Sequence, residues 1–195
     1  GMAMKAEELG VELDSAAAAN LTEELKRREA VGFVYEAADA SLELLMREAS
    51  GWRQDVFALE GYRVTTYHRN ALRGGAPIDD GESMIDTEAT VKIWVGDERL
   101  KAIGEGNGPV NALDQALRTA LNGRYPALAR IHLIDFRVRV LDSSSTTGAV
   151  VRVLVDSTDG ERTWTTIGVD TNIIEASWQA LVDSLVYGLL HADPA

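Results

Sequence analysis

No cysteine occurs in this sequence. Disulfide frameworks, thiolate metal sites and cysteine nucleophiles are excluded, and the usage fits a cytoplasmic protein. Histidine is scarce: His68, His132 and His191 stand far apart, with no His-x-His or His-Glu-x-x-His pair to hold a metal. No run of about 18 apolar residues is long enough to span a bilayer, and no basic-then-apolar leader opens the chain. Positive charge is short as well. Nineteen Lys and Arg against 31 Asp and Glu leave a net charge of −12, which argues against nucleic acid and anionic membranes as partners. Gly1 ahead of Met2 reads as a cloning remnant, and the chain as a piece of something longer.

What is present suits a folded protein. The 195 residues are 46% hydrophobic, enough for one sizeable core or a small domain with an appendage. Residues 1–52 are helical in pattern and read as a linker arm. In NLTEELKRREA, Asn20 is the expected cap with Glu23 completing a capping box, and Leu21 and Leu25 share a face. In DASLELLMREA, Asp39 is the expected cap, and Leu42, Leu45, Met46 and Ala49 form the apolar stripe. From Val56 the period changes to two. VFALE and YRVTTY read as short strands, followed by a long hairpin loop, RNALRGGAPIDDGES, and the strands TEATVKIWV and ERLKAIG. A helix begins at Pro109, buries Val110, Leu113, Leu117, Ala120 and Leu121, and stops at Gly123.

The order then repeats. FRVRVLD, AVVRVLV and RTWTTIG are strand patterns, and NIIEASWQALVDSLVYGLL is a helix with Ile174, Trp178, Leu181, Leu185 and Leu189 on one face. Ile103-Gly104 aligns with Ile167-Gly168, and in that register Ala112, Gln115, Ala116 and Leu117 meet Ala176, Gln179, Ala180 and Leu181. The expected fold is α+β: duplicated βββα units, at about 56–123 and 131–191, within a domain of residues 53–195. Each three-stranded sheet would carry a helix on one face, with Trp94 and Trp164 on the face that still needs covering. A homodimer is the natural expectation for half-covered sheets.

The chemistry-bearing motifs are few. Residues 104–111 read GEGNGPVN. The stretch lacks the Gly-Lys-Ser/Thr of a Walker loop, and Pro109 stands where a dinucleotide fingerprint needs its third glycine. A bare backbone before a helix start still suits a single anion such as a carboxylate, and a plain strand-to-helix turn is the alternative. The second copy makes the same turn with GVDTNI, so the glycines look like more than a folding requirement. SSSTTG (143–148) has hydroxyls without a base and reads as a polar hairpin loop. His132 opens a strand in a structural or exposed role, and no catalytic cluster emerges.

EGNGPVNALDQALR, LIDFRVRVLD and ERTWTTIGVDTNIIEASWQALVDSLVYGLL, in this order and spacing, resemble the C-terminal regulatory domain of the 2-isopropylmalate synthase family, and the last stretch resembles its citramalate synthase branch. The likeness covers about residues 50 to 191, and the arm is similar to the family's linker subdomain. The resemblance implies a parent acyltransferase with an N-terminal (β/α)8 barrel, a divalent metal and acetyl-CoA as substrate. It implies no cofactor and no activity in this chain alone. It also implies a homodimer of duplicated βββα units that binds isoleucine or leucine as feedback effector, isoleucine favoured, with the catalytic barrel of the same parent chain as partner. A regulatory domain of 2-isopropylmalate synthase sensing leucine, and a ligand-free dimerisation module, are the alternatives. By position the effector pocket carries over to Gly106, Asn107, Gly108, Val110 and Asn111, to Leu133, Phe136 and Val140, and to Thr147 and Ala149. Many members have tyrosine where this chain has Phe136, which removes a polar contact and keeps an apolar wall.

Overall fold

A computed structural model of the protein describes residues 1–70, 72–77, 84–141 and 148–193. Three helices come first: α1 (Met2–Glu8), α2 (Ser15–Val31) and α3 (Asp39–Ala49). Strands β1 (Ala58–Arg69), β2 (Leu72–Arg73), β3 (Ala76–Pro77), β4 (Met84–Val95) and β5 (Glu98–Gly106) lead into α4 (Pro109–Leu121). Strands β6 (His132–Leu141), β7 (Val150–Thr158) and β8 (Thr163–Asp170) lead into α5 (Ile173–Leu190). The class is α+β, and the βββα pattern occurs twice after a helical arm. None of the helices among the described residues is long and apolar enough to cross a membrane.

The chain divides into two compact units. One is Val56–Arg124; the other joins Gly1–Asp55 to Tyr125–Ala195.

In the unit Val56–Arg124 the sheet order is β1-β4-β5, antiparallel throughout. VFALE and YRVTTY form one strand rather than two. A bulge between Leu59 and Gly61 breaks the alternation there, so a continuous strand looks interrupted in sequence. Most of the RNALRGGAPIDDGES loop after its tiny β2–β3 hairpin lies outside the described residues. Ala89, Val91 and Ile93 of β4 are fully buried beneath Val110, Leu113, Leu117 and Leu121 of α4. Burial of each such leucine contributes about 1.5–3 kcal/mol. Trp94 points to the other, open face, where its indole N–H donates to Glu60 at 3.2 Å.

In the other unit the order is β6-β7-β8. Here α5 covers one face, and the arm covers the far face of β8. Ile167 and Val169 share a core with Leu21, Leu25, Leu42, Leu45 and Met46. The tryptophan expected on the uncovered face, Trp164, instead faces α5, donating its indole N–H to the Ser184 carbonyl at 3.1 Å. Period two explains the exchange: Trp164, Thr166 and Gly168 point toward the helix, and Ile167 and Val169 away from it. The arm's helix caps differ from those its sequence suggested. Asp14, not Asn20, caps α2 by accepting from the Ala17 N–H at 2.7 Å, and the helix therefore starts before the capping box. Asp39 is the first residue of α3 and caps nothing. Glu43, only 2% exposed, receives Arg47 at 2.8 Å and His191 Nε2 at 2.7 Å, so the arm and the end of α5 are tied by a buried polar cluster.

Candidate functional site: the start of helix α4

The site grows out of close packing. An added Cβ at Gly104 would lie 2.3 Å from the Ala116 backbone nitrogen, and at Gly168 it would lie 1.8 Å from the Ala176 carbonyl oxygen. In both repeats glycine lets the last strand press on its helix, with alanines at the contact. The duplicated glutamines do matching work. Gln115 accepts from the Glu105 N–H at 2.6 Å and Gln179 from the Val169 N–H at 3.0 Å, each satisfying an amide on a strand edge. Gly106 is also held by space, since its Cβ would meet Ala112 N and Asn111 Cβ at 2.8 Å. The expectation that fold alone requires none of these glycines is thus corrected for Gly104 and Gly106.

Gly108 is different. It is the N-cap of α4 with extended backbone, φ −171° and ψ 177°, and an added Cβ would meet nothing within 4 Å. No side chain caps α4 and no acidic residue lies in its first turn. The first-turn N–H groups at the positive end of α4 therefore receive no side-chain cap. The second repeat resolves the same position in the opposite way. In the repeat register Gly108 falls on Asn172 and Gly106 on Asp170. Asn172 accepts from the Ile174 and Glu175 N–H groups at 2.8 and 3.3 Å, and Asp170 holds the Asn172 N–H at 2.8 Å. One repeat closes its helix start with its own side chains; the other has no side-chain cap.

The other candidate residues fall as follows. Asn107 and Asn111 are exposed and joined, Asn111 Nδ2 donating to Asn107 Oδ1. Val110 is buried in the α4 core. Gly106, Asn107, Gly108, Val110 and Asn111 thus share one turn of the unit Val56–Arg124. Leu133, Phe136 and Val140 lie on β6 of the other unit. A bulge between Leu133 and Asp135 brings all three to the α5 side of the sheet, where their partners on β7 are Ser157, Val155 and Val151. Phe136 and Val140 remain 46% and 61% exposed. Val138, 42% exposed between them, completes an apolar strip that the sequence reading omitted although the alternation in FRVRV carries it. Ala149 is exposed just before β7, and Thr147, with most of SSSTTG, lies outside the described residues.

Residues 36–189 match the family described as the LeuA allosteric (dimerisation) domain. An (R)-citramalate synthase of Streptomyces coelicolor is 46% identical over 195 residues, covering 98% of this chain and 34% of that protein. Those of Synechocystis sp. and Aquifex aeolicus are 46% and 44% identical over 187 and 188 residues, each covering 95% of this chain and 33% and 34% of the relative. The chain spans about a third of the length of these relatives.

Proposed function

Because the chain belongs to the LeuA allosteric (dimerisation) domain family, we propose that it is the feedback-sensing and dimerising part of an acetyl-CoA-dependent, cytoplasmic citramalate synthase, with isoleucine as its inhibitor. Similarity to citramalate synthases over nearly the whole chain supports the parent enzyme. In this reading the condensation, its divalent metal and its acetyl-CoA belong to the remainder of such an enzyme.

The observation that carries effector binding is the contrast between the two helix starts. Gly106 and Gly108 leave α4 uncapped where Asp170 and Asn172 cap α5. A carboxylate at α4 accepts the free N–H groups and gains about 0.3–1 kcal/mol from the helix dipole, up to about 2 when partly buried. Every amino acid gains that equally. Choice among them falls to apolar contacts with the side chain. Valine, a methylene short of isoleucine, should bind about tenfold or more weakly.

The test transplants the closed version into the open one. Gly108→Asn offers α4 the cap that α5 already has, and its Cβ would meet nothing within 4 Å. Calorimetric titration should show isoleucine binding to the wild type and not to Gly108→Asn, nor to the bulkier Gly108→Val. Absence of heat from any branched-chain amino acid with the wild type, or undiminished binding by Gly108→Asn, would sink the assignment.

A further inference from the structure

A cavity of about 690 Å³ opens between α2, α3 and the first turns of α5, far along the chain from the α4 turn and with none of its residues shared. Its size falls in the range of small-molecule sites. Four carboxylates line it, Glu24, Glu48, Glu175 and Asp183, against two cations, Arg27 and Arg28. Both arginines are already engaged by Glu24, and the Arg28 guanidinium also lies over the Phe33 ring at 5.3 Å. The negative excess therefore concentrates on the α3–α5 side. Asp183 accepts one hydrogen bond, from the Ser41 hydroxyl at 2.8 Å, and among the described residues no ion pair reaches it. Burial pushes its carboxyl up to about 7 and raises Glu48 as well, outweighing the pull of Arg28 on both groups and of Arg53 on Glu48. The remaining wall mixes apolar side chains, Trp178, Leu44, Leu45 and Val182 among them, with the polar Tyr35, Ser41 and Gln179.

We propose that this cavity binds a small organic cation, its ammonium group seated on Asp183 and Glu48 and its apolar body against Trp178 and Leu45. Carboxylate beside an aromatic face is the combination that holds an ammonium head. An anion meets surplus negative charge, and an α-amino acid brings a second carboxylate into it. A bare metal ion would leave most of the volume and the apolar wall unused. The groups facing Asp183 are Ser41 and Glu48 of α3, Arg28 of α2, and Tyr35. Asp183 contributes its charge to the seat only when ionised, so binding displaces its proton and strengthens as pH rises through about 7.

Titration calorimetry of this chain with benzylamine, benzyl alcohol and benzoate tests the proposal. Benzylamine should bind with one-site saturation at pH 8, benzyl alcohol at least tenfold more weakly, and benzoate not at all. Affinity for benzylamine should drop roughly tenfold at pH 6 as Asp183 takes up its proton. Asp183→Asn keeps an acceptor for the Ser41 hydroxyl and should lose at least tenfold. If that variant does not fold, Glu48→Gln takes its place with the same expected loss. Gly108→Asn should bind benzylamine like the wild type, which separates this cavity from the effector reading. No saturation by benzylamine, equal binding of the alcohol, or undiminished binding by the carboxylate variant overturns the proposal.

Discussion

Gly168 and Gly104 occupy positions where one methyl group has nowhere to go. The obstructing atoms are helix backbone, which cannot rotate aside. Gly168→Ala should therefore cost about 3 kcal/mol or more, because α5 must lift from β8. Gly108→Ala has open space and an extended backbone, and should cost no more than about 1 kcal/mol, the preference for glycine over alanine at an N-cap. Urea unfolding of the two variants separates a glycine kept for packing from one that packing does not need. Asp183 supplies a second residue-scale outcome. Its carboxyl, raised to about 7 by burial, holds a proton in the folded state that the unfolded chain releases near its ordinary value of 3.8. Between those values the folded state binds more protons, so stability falls as pH rises from about 4 to 7. Asp183→Asn removes this loss. Melting temperatures should show the variant gaining on the wild type at pH 8 and not at pH 4; an equal offset at both would contradict the assignment.

At the scale of elements, each repeat protects its last strand in the same manner. Gln115 and Gln179 cover strand-edge amides from one turn along the following helix. Gln115→Ala and Gln179→Ala should each cost about 0.5–1.5 kcal/mol, measured by denaturant titration, with closely similar values. A large loss in one and none in the other would mean that the repeats do not share this device. Helix α4 was legible because Pro109, Gly123 and a strict 3.6-residue stripe all mark it. The start of α2 was not, because Ala16–Ala19 carries no large apolar residue and the Asn20–Glu23 pair mimics a cap. Neither was the covering of β8 by the arm. That packing joins Ser41 to Ile167 across 126 positions, and no local pattern records such a distance. For the candidate site, the turn at Gly106–Asn111 was legible. The meaning of Gly108 needed the hydrogen bonds of Asn172, since only geometry distinguishes a capped helix start from an open one.

On the scale of the whole molecule, the sheets retain uncovered apolar surface within each unit. Phe136, Val138 and Val140 are exposed on β6, and Trp94 and Ile103 on the open face of the β1-β4-β5 sheet. Together with membership of a dimerisation-domain family, this leads us to expect a dimer in solution. Light scattering at micromolar concentration should return about twice 21.1 kDa. A mass that stays at 21.1 kDa on raising the concentration would count against it.

The interleaving of the two units along the chain has a consequence for biosynthesis. Residues 1–55 leave the ribosome before Val56–Arg124, yet their apolar partners Ile167 and Val169 are made only after it. The segment Val56–Arg124 holds its whole core within one continuous stretch and can fold while translation proceeds. The arm cannot. Leu21, Leu25, Leu42 and Met46 stay unsheltered until β8 and α5 emerge, and that interval is when the nascent chain is most open to chaperones, proteases and aggregation.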